Sequence, residues 1–314
     1  MKNVAKIYVG VDISKKRLDV AVHGEKKSFH VSNNEKGLEA LSKKMQLKHI
    51  GQLVCEASGG YERLLVMYLR KKNVNVWLVE PSRIKAFIRS EGVYHKTDAH
   101  DAKMLAKFAS QKLPKANMIQ PTEESYKLTA LIYRRQDLKK TLNSETNRLD
   151  QAYDDECRIN IEESIVFHKK MIVKLDKLID DFINLDSELK RKMSLAQTIP
   201  GVGKLTAEVL LGTVPELGNI EESPLSALIG VAPYIQQSGA QKGSAFTRGG
   251  RQAPRNALYM ASVAAIVFNP RFKELYKKLK LKGKPSKIAL VAIMRKIICA
   301  LNAMFKRNES WKTA

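Results

Sequence analysis

Along the first third of the chain, apolar and polar positions alternate in short runs separated by turn residues. Ile7–Asp12 and Arg17–His23 read as strands around a turn at Ser14-Lys15-Lys16, and Ser28–Val31 reads as a third strand. The spacing then predicts a helix over Asn34–Met45, a strand over Gln52–Glu56, a helix over Gly60–Lys72 and a strand over Val74–Val79. Pro81 opens a further helix at a first-turn position, where its missing N–H costs nothing. Hairpin strands followed by βα units predict a mixed sheet covered by helices, within an α/β domain over residues 1–120.

From Glu123 to about Leu195 the period lengthens. Leu128, Leu131, Leu138, Leu142 and Leu149 begin an apolar stripe, and Met171, Leu175, Leu178, Phe182, Leu185 and Leu189 continue it. The second set is spaced 4, 3, 4, 3, 4, the seam of a coiled coil or long helical hairpin. Tyr153-Asp154-Asp155-Glu156-Cys157 interrupts the stripe and is the expected turn. Residues 121–196 are therefore expected to be a helical connector, with its seam shared between chains rather than closed within one. From Gln197 a Gly- and Pro-punctuated, mainly helical domain is expected over residues 197–314. Its longest apolar stretch, Ala257–Phe268, falls short of the roughly 20 residues that span a bilayer, so no membrane partner is expected.

Charge narrows the function. The 314 residues carry 55 Lys and Arg against 32 Asp and Glu, a net charge of +23, with a hydrophobic fraction of 44% that belongs to a folded protein. From residue 240 onward 17 basic residues face 2 acidic ones. A field of that sign draws in polyanions, nucleic acid above all. Cys55, Cys157 and Cys299 stand apart, with no CxxC spacing for zinc or a disulfide framework. With no signal-peptide pattern, a cytoplasmic protein is expected, nucleoid-associated when it acts.

Against this basic background, four carboxylates fall at element ends. Asp12 closes the first strand, Glu56 closes another, and Asp98 and Asp101 follow in Lys96-Thr97-Asp98-Ala99-His100-Asp101-Ala102. Three residues apart on a helix, the last two share a face. Acids gathered in this way repel one another unless a cation joins them, and hard divalent ions prefer carboxylate oxygens. The pattern matches the ligands of a ribonuclease-H-type nuclease, whose two ions, about 4 Å apart, stabilise attacking and leaving oxygens. Mg²⁺ is the expected ion, with Mn²⁺ as a substitute. Paired glycines in Glu56-Ala57-Ser58-Gly59-Gly60-Tyr61 permit close backbone approach beside Glu56, and Tyr61 reads as a packing residue.

Two further motifs lie near the C-terminus. Thr198-Ile199-Pro200-Gly201-Val202-Gly203-Lys204 reads as a helix-hairpin-helix turn, with Gly201, Gly203 and Lys204 placed to hold a backbone phosphate. Its likeness to a P-loop fails, because the leading glycine and the preceding strand are missing. Ser238 precedes Gly239 in a polar segment followed by Lys242, Arg248 and Arg251, cations that can bind DNA and stabilise charge at phosphorus. On spacing alone Ser244 is an equal candidate, and a loop serine is more often a turn former.

Taken together, Val9-Gly10-Val11-Asp12-Ile13-Ser14-Lys15, Glu56-Ala57-Ser58-Gly59-Gly60-Tyr61, the Asp98/Asp101 segment, Pro200-Gly201-Val202-Gly203, Gly230-Val231-Ala232-Pro233 and Ser238-Gly239 resemble the DEDD-type insertion-sequence transposases. These are also called bridge-RNA-guided serine recombinases, and the resemblance runs in order through nearly the whole chain. It implies a RuvC-like N-terminal domain, a coiled-coil connector and a C-terminal transposase domain. It also implies Mg²⁺ on Asp12, Glu56, Asp98 and Asp101, and a transient covalent link from Ser238 to DNA. A structured RNA pairing with target and donor DNA is implied too, as is a homo-oligomer, dimer to tetramer, with active sites shared between chains. Ala57-Ser58 stands where Ala-Thr is commoner. The residues leave three rivals open: a RuvC-like nuclease or junction resolvase without a covalent step, an actin- or sugar-kinase-like ATPase, and a non-catalytic nucleic-acid-binding protein.

Overall fold

The computed structural model describes residues 6–45, 49–92, 98–112, 122–234, 237–238, 241–242 and 246–312; the side chains of residues 99, 237, 238, 241 and 242 lie outside it. The chain forms two compact units, Met1–Gln120 and Pro121–Ala314.

Unit 1 is built on a mixed sheet. Strands β1 (Ile7–Ile13), β2 (Arg17–Val22), β3 (Phe29–Ser32), β4 (Ile50–Glu56) and β5 (Val76–Val79) lie in the order β3-β2-β1-β4-β5. The first three pair antiparallel, while β1, β4 and β5 run parallel. Alternation along each strand sends side chains to opposite faces. Val9, Val11 and Ile13, with Leu53, Cys55 and Val76, bury against α1 (Glu35–Met45) and α2 (Arg63–Lys71). Val54, Trp77 and Val79 face the other way, onto Ile84 and Phe87 of α3 (Pro81–Ser90) and Leu105 and Phe108 of α4 (Asp98–Gln111). By the same period Gly10, Asp12 and Glu56 belong to the α4 face. The helix after Glu56 starts at Arg63 rather than Gly60, because Gly59 and Gly60 take left-handed φ values of 75° and 122°.

Helix α4 lies directly on β1 and β2. A Cβ at Gly10 would sit 2.2 Å from the Ala102 carbonyl oxygen and 2.2 Å from the Ala106 amide nitrogen. Ala21, paired with Gly10 across the ladder, packs on the same two alanines. Small residues thus bring helix backbone against strand backbone. Gln52, fully buried, extends its amide to the Lys112 carbonyl at 3.4 Å, just past the end of the helix.

Unit 2 begins with a hairpin of α5 (Glu123–Gln151) and α6 (Asp155–Leu185), capped by Thr122 and Asp154 side chains. Its internal seam takes in part of the predicted stripe: Leu138 and Leu175 pack together, with Leu131, Leu142 and Met171 against them. Leu128, Ile132 and Leu138 of α5 bury with Ile165, Ile172, Leu175, Ile179 and Ile183 of α6. Leu178 and Leu185 point outward instead, the latter 88% exposed. The predicted heptad thus follows the packed face at Met171, Leu175 and Phe182 and leaves it at Leu178 and Leu185, where Ile179 and Ile183 take over. Arg135 also lies in the seam, buried and ion-paired with the buried Glu208 and with Asp176.

The base of the hairpin shares one core with α7 (Ser187–Gln197), α8 (Lys204–Thr213), α9 (Glu222–Ile229), α10 (Gln252–Phe268), α11 (Pro270–Leu281) and α12 (Ser286–Arg307). Helix α12 is long and apolar enough to cross a membrane, so the apolar run at Ala257–Phe268 is not the one that matters for that question. Ile293, Ile297, Ile298 and Leu301 bury completely in unit 2, as in the central helix of a folded core. Between α9 and α10, β6 (Gln237–Ser238) and β7 (Gln241–Lys242) pair antiparallel, and Tyr234 bridges to Phe246 at the neck of this segment.

Gly10→Ala forces α4 off the sheet. It should cost about 1–3 kcal/mol, the usual range for overpacking, read from chemical denaturation of the purified protein. An unchanged midpoint would mean that the close backbone approach has no energetic weight.

Candidate active site

Asp12 is the penultimate residue of β1 and Glu56 the last of β4, where the parallel register runs up to Val11–Cys55. Asp98 and Asp101 occupy the first turn of α4, where carboxylates also complement the helix dipole. The docking of α4 at Gly10 therefore carries both toward Asp12. The electrostatics register their meeting: burial first, then Asp101, Asp98 and Glu56, push the Asp12 carboxyl up from 3.8 to about 6. Among the described residues, no three His, Cys, Asp or Glu side chains converge closely enough to hold an ion. The donor set nevertheless suits a hard divalent cation, and the repulsion on Asp12 is what such a cation would relieve.

The surrounding turns are fastened by residues that the motifs did not single out. The Glu62 carboxylate accepts from the Ser58 amide at 3.1 Å, the Ser58 hydroxyl at 2.8 Å and the Gly60 amide at 2.8 Å. Burial pushes Glu62 up, but these bonds hold it below the ordinary carboxylate range. The Asn33 amide donates to the Ser14 and Tyr61 carbonyls, each at 3.0 Å, joining the turn after Asp12 to the turn after Glu56. Tyr61, expected as a packing residue, is about half exposed. Across the ladder from Asp12 lies Asp19, buried and paired with Arg17. The hydrogen bond to Asp19 raises the Arg17 pKa, and the Asp98 charge adds to it. The signal for Glu62 was its spacing, four residues after Ser58 across a glycine pair.

In unit 2, Ser238 is the last residue of β6, opposite Gln241, and Lys242 pairs with Gln237. Gly239, Gly243 and Ser244 lie outside the described residues, as do Lys96 and Thr97. Arg251 is committed within the fold: it grips the Glu216 carboxylate with two bonds of 2.7 Å and reaches the Thr213 carbonyl at 2.9 Å. Arg248 rests over the Tyr234 and Phe246 rings, 5.1 and 5.9 Å from their centroids.

The helix-hairpin-helix turn divides its labour. Gly201, at φ 102°, backs onto helix α10, where a Cβ would come within 2.5 Å of the Ala265 Cα. Gly203 is the N-cap of α8, and a Cβ there would meet open space, so the first amides of the helix are approachable. Lys204 already binds Asp180 at 2.6 Å, a hydrogen bond that raises its pKa.

An acid-ended α/β unit joined to a basic helical unit describes an enzyme that works on DNA, and the comparisons define it as a DNA transposase or recombinase. A family model described as "Transposase" matches residues 9–157, and one described as "Transposase IS116/IS110/IS902 family" matches residues 193–277. The pilin gene-inverting proteins of Moraxella bovis and Moraxella lacunata are each 31% identical over 317 residues, covering 98% of both chains. An insertion element IS110 protein of Streptomyces coelicolor is 31% identical over 118 residues, 37% of this chain and 29% of its own length. The chain belongs to the IS110 transposase family.

Asp12 gives a test of the acidic cluster. The folded, metal-free protein holds this proton more tightly than the unfolded chain, so the stability it contributes is complete below pH 3.8 and lost as pH rises through about 6. In chelator, Asp12→Asn should melt above wild type beyond pH 6, with the two curves converging toward pH 4. Parallel melting curves across that window would show that the fold does not raise the Asp12 pKa.

Proposed function

We propose that this transposase cleaves and rejoins DNA through a RuvC-like metal centre on Asp12, Glu56, Asp98 and Asp101 and a serine nucleophile, Ser238. What supports the metal centre is the placement of the four carboxylates, at the ends of β1 and β4 and in the first turn of α4, together with the raised pKa of Asp12, caused by burial and then by the other three. A divalent cation bound there, Mg²⁺ by preference or Mn²⁺ in its place, would neutralise charge on the attacking and leaving oxygens. The serine role rests on the family resemblance and on the position of Ser238 in a short hairpin followed by Lys242 and Arg248. Its hydroxyl oxygen forms a bond to phosphorus as the bond to the departing strand breaks. The departing oxygen takes up a proton, and the reverse step reseals the new junction.

The DNA segments are chosen, in this reading, by a structured guide RNA that pairs with target and donor, and the active form is a homo-oligomer, dimer to tetramer. The basic C-terminal quarter supports a polyanionic partner of either kind. The relatives named for pilin gene inversion support strand exchange as the shared chemistry, since inversion and insertion both need cutting and rejoining. Phosphate contacts are assigned to Lys242, Arg248, the open Gly203 turn and the exposed lysines of α11 and the following turn. Lys204 joins them on release from Asp180.

Ser238→Ala should keep DNA binding and the fold yet form no protein–DNA adduct and no rejoined product, while Ser244→Ala remains active. Denaturing electrophoresis of labelled DNA, with peptide mapping of the adduct, reads the result. An adduct that persists in Ser238→Ala or maps to Ser244 rejects the nucleophile. Clean cleavage by wild type with no adduct assigns the attack to water, as in a RuvC-like resolvase.

Neutralising Lys277, Lys280 and Lys284 together should flatten the dependence of log affinity on log salt. The slope should fall by about 0.7–0.9 for each DNA phosphate that is no longer neutralised. An unchanged slope returns these lysines to the solvent.

A further inference from the structure

The neck of the serine-bearing segment carries two aromatic side chains, beside Arg248, that the reaction outlined above leaves unused. Tyr234 and Phe246 exchange two backbone hydrogen bonds, Tyr234 N–H to Phe246 O at 2.8 Å and Phe246 N–H to Tyr234 O at 3.0 Å. That arrangement sets their side chains on one face of the ladder. The rings stack, with centroids 6.3 Å apart and planes inclined by 28°. Arg248, two residues beyond Phe246, lays its guanidinium over both. Rings closing a loop for structural reasons alone would be expected to bury, as Trp77 and Phe108 do in unit 1. These remain 37% and 38% exposed.

The fold beneath them is already secured by other means. Arg255 donates to the Ile229 carbonyl at 3.2 Å, to the Gly230 carbonyl at 2.9 Å and to the Gly249 carbonyl. Arg251 donates its backbone N–H to the Leu228 carbonyl at 2.8 Å and anchors on Glu216. Both ends of the segment are therefore held without the rings, whose surface is left to serve a ligand.

We propose that Tyr234, Phe246 and Arg248 form a stacking platform for an unpaired DNA base next to the cleavage point, a binding role that rests on the serine-recombinase reading. Two partly exposed aromatic rings and a flat cation are the elements that hold a base without reading its identity. The surrounding quarter of the chain, 17 basic residues against 2 acidic, supplies attraction for the attached phosphates. Stacking one base outside the duplex would keep the cleaved strand end from drifting before rejoining. The platform thus acts on position, and the covalent step remains with the serine.

The test uses the full-length protein carrying Ser238→Ala, so that binding is read without cleavage. The probes are mixed-sequence single-stranded oligodeoxynucleotides with 2-aminopurine scanned along their length, whose fluorescence is quenched when the base stacks. Quenching should appear at a restricted set of positions and disappear in Tyr234→Leu/Phe246→Leu, with affinity falling about 5- to 150-fold, the range for removing one base–aromatic stack. Tyr234→Phe, which keeps the ring, should retain the quenching, and circular dichroism of the double variant should match its parent. Quenching that survives the double substitution overturns the platform. So does DNA binding without quenching at any position, or quenching confined to an RNA strand of the same sequence, and both leave DNA recombination standing. Failure of the unsubstituted rings to bind any DNA overturns platform and recombinase reading together.

Discussion

The contact of α4 with β1 governs the rest of unit 1. It is a backbone-to-backbone approach, made possible because Gly10 has no side chain and Ala21, Ala102 and Ala106 have almost none. A larger residue at any of these positions would lift the helix and carry Asp98 and Asp101 away from the sheet. Steric economy at one end of the interface thus sets the charge density at the other. Burial of Asp12 and then repulsion from the other three carboxylates, which together raise its pKa, are a cost that dispersion along the Val54, Trp77, Leu105 and Phe108 layer must offset.

Unit 2 uses a different device. The buried Arg135 binds Glu208 of α8 and Asp176 of α6, so that one guanidinium joins three helices. Desolvating such a group is expensive, and its removal would leave the buried Glu208 with the more distant Lys204, at 4.0 Å. The two pairs tie α8, and the glycine turn at its N-terminus, to both helices of the hairpin. That turn is further held by Lys204 on Asp180 and by Gly201 against α10.

Most of the unit 1 sheet was legible from period and punctuation, because strand alternation and turn glycines are local signals. Strand ends matched to within two residues, and the start of α2 moved because a glycine pair and Glu62 built a turn where helical spacing continued. The order of the strands and the placement of Asp12 and Glu56 on the α4 face needed the register, which is non-local. In α6 the heptad reading held at Leu175 but strayed to the exposed Leu178 and Leu185, where isoleucines form the packed row. Arg135 was missed because a buried cation looks, in sequence, like any surface cation. Glycine roles were the least legible: Gly201 and Gly203 stand two residues apart in one motif, yet one serves packing and the other leaves an open approach. Arg251 resembled a phosphate ligand by position but is spent on Glu216.

The order of elements along unit 1 also has a consequence for its birth on the ribosome. All five strands lie before residue 80, so the sheet can pair while α4 is still being made. Until α4 emerges, Asp12 and Glu56 stand at the edge of an open face, and their partners do not yet exist in folded form. The four carboxylates can meet only after α4 has been made and its alanines reach Gly10. Any site that needs all four of these carboxylates is therefore absent throughout the synthesis of the first 97 residues, and can form only once the strands beneath it have been made.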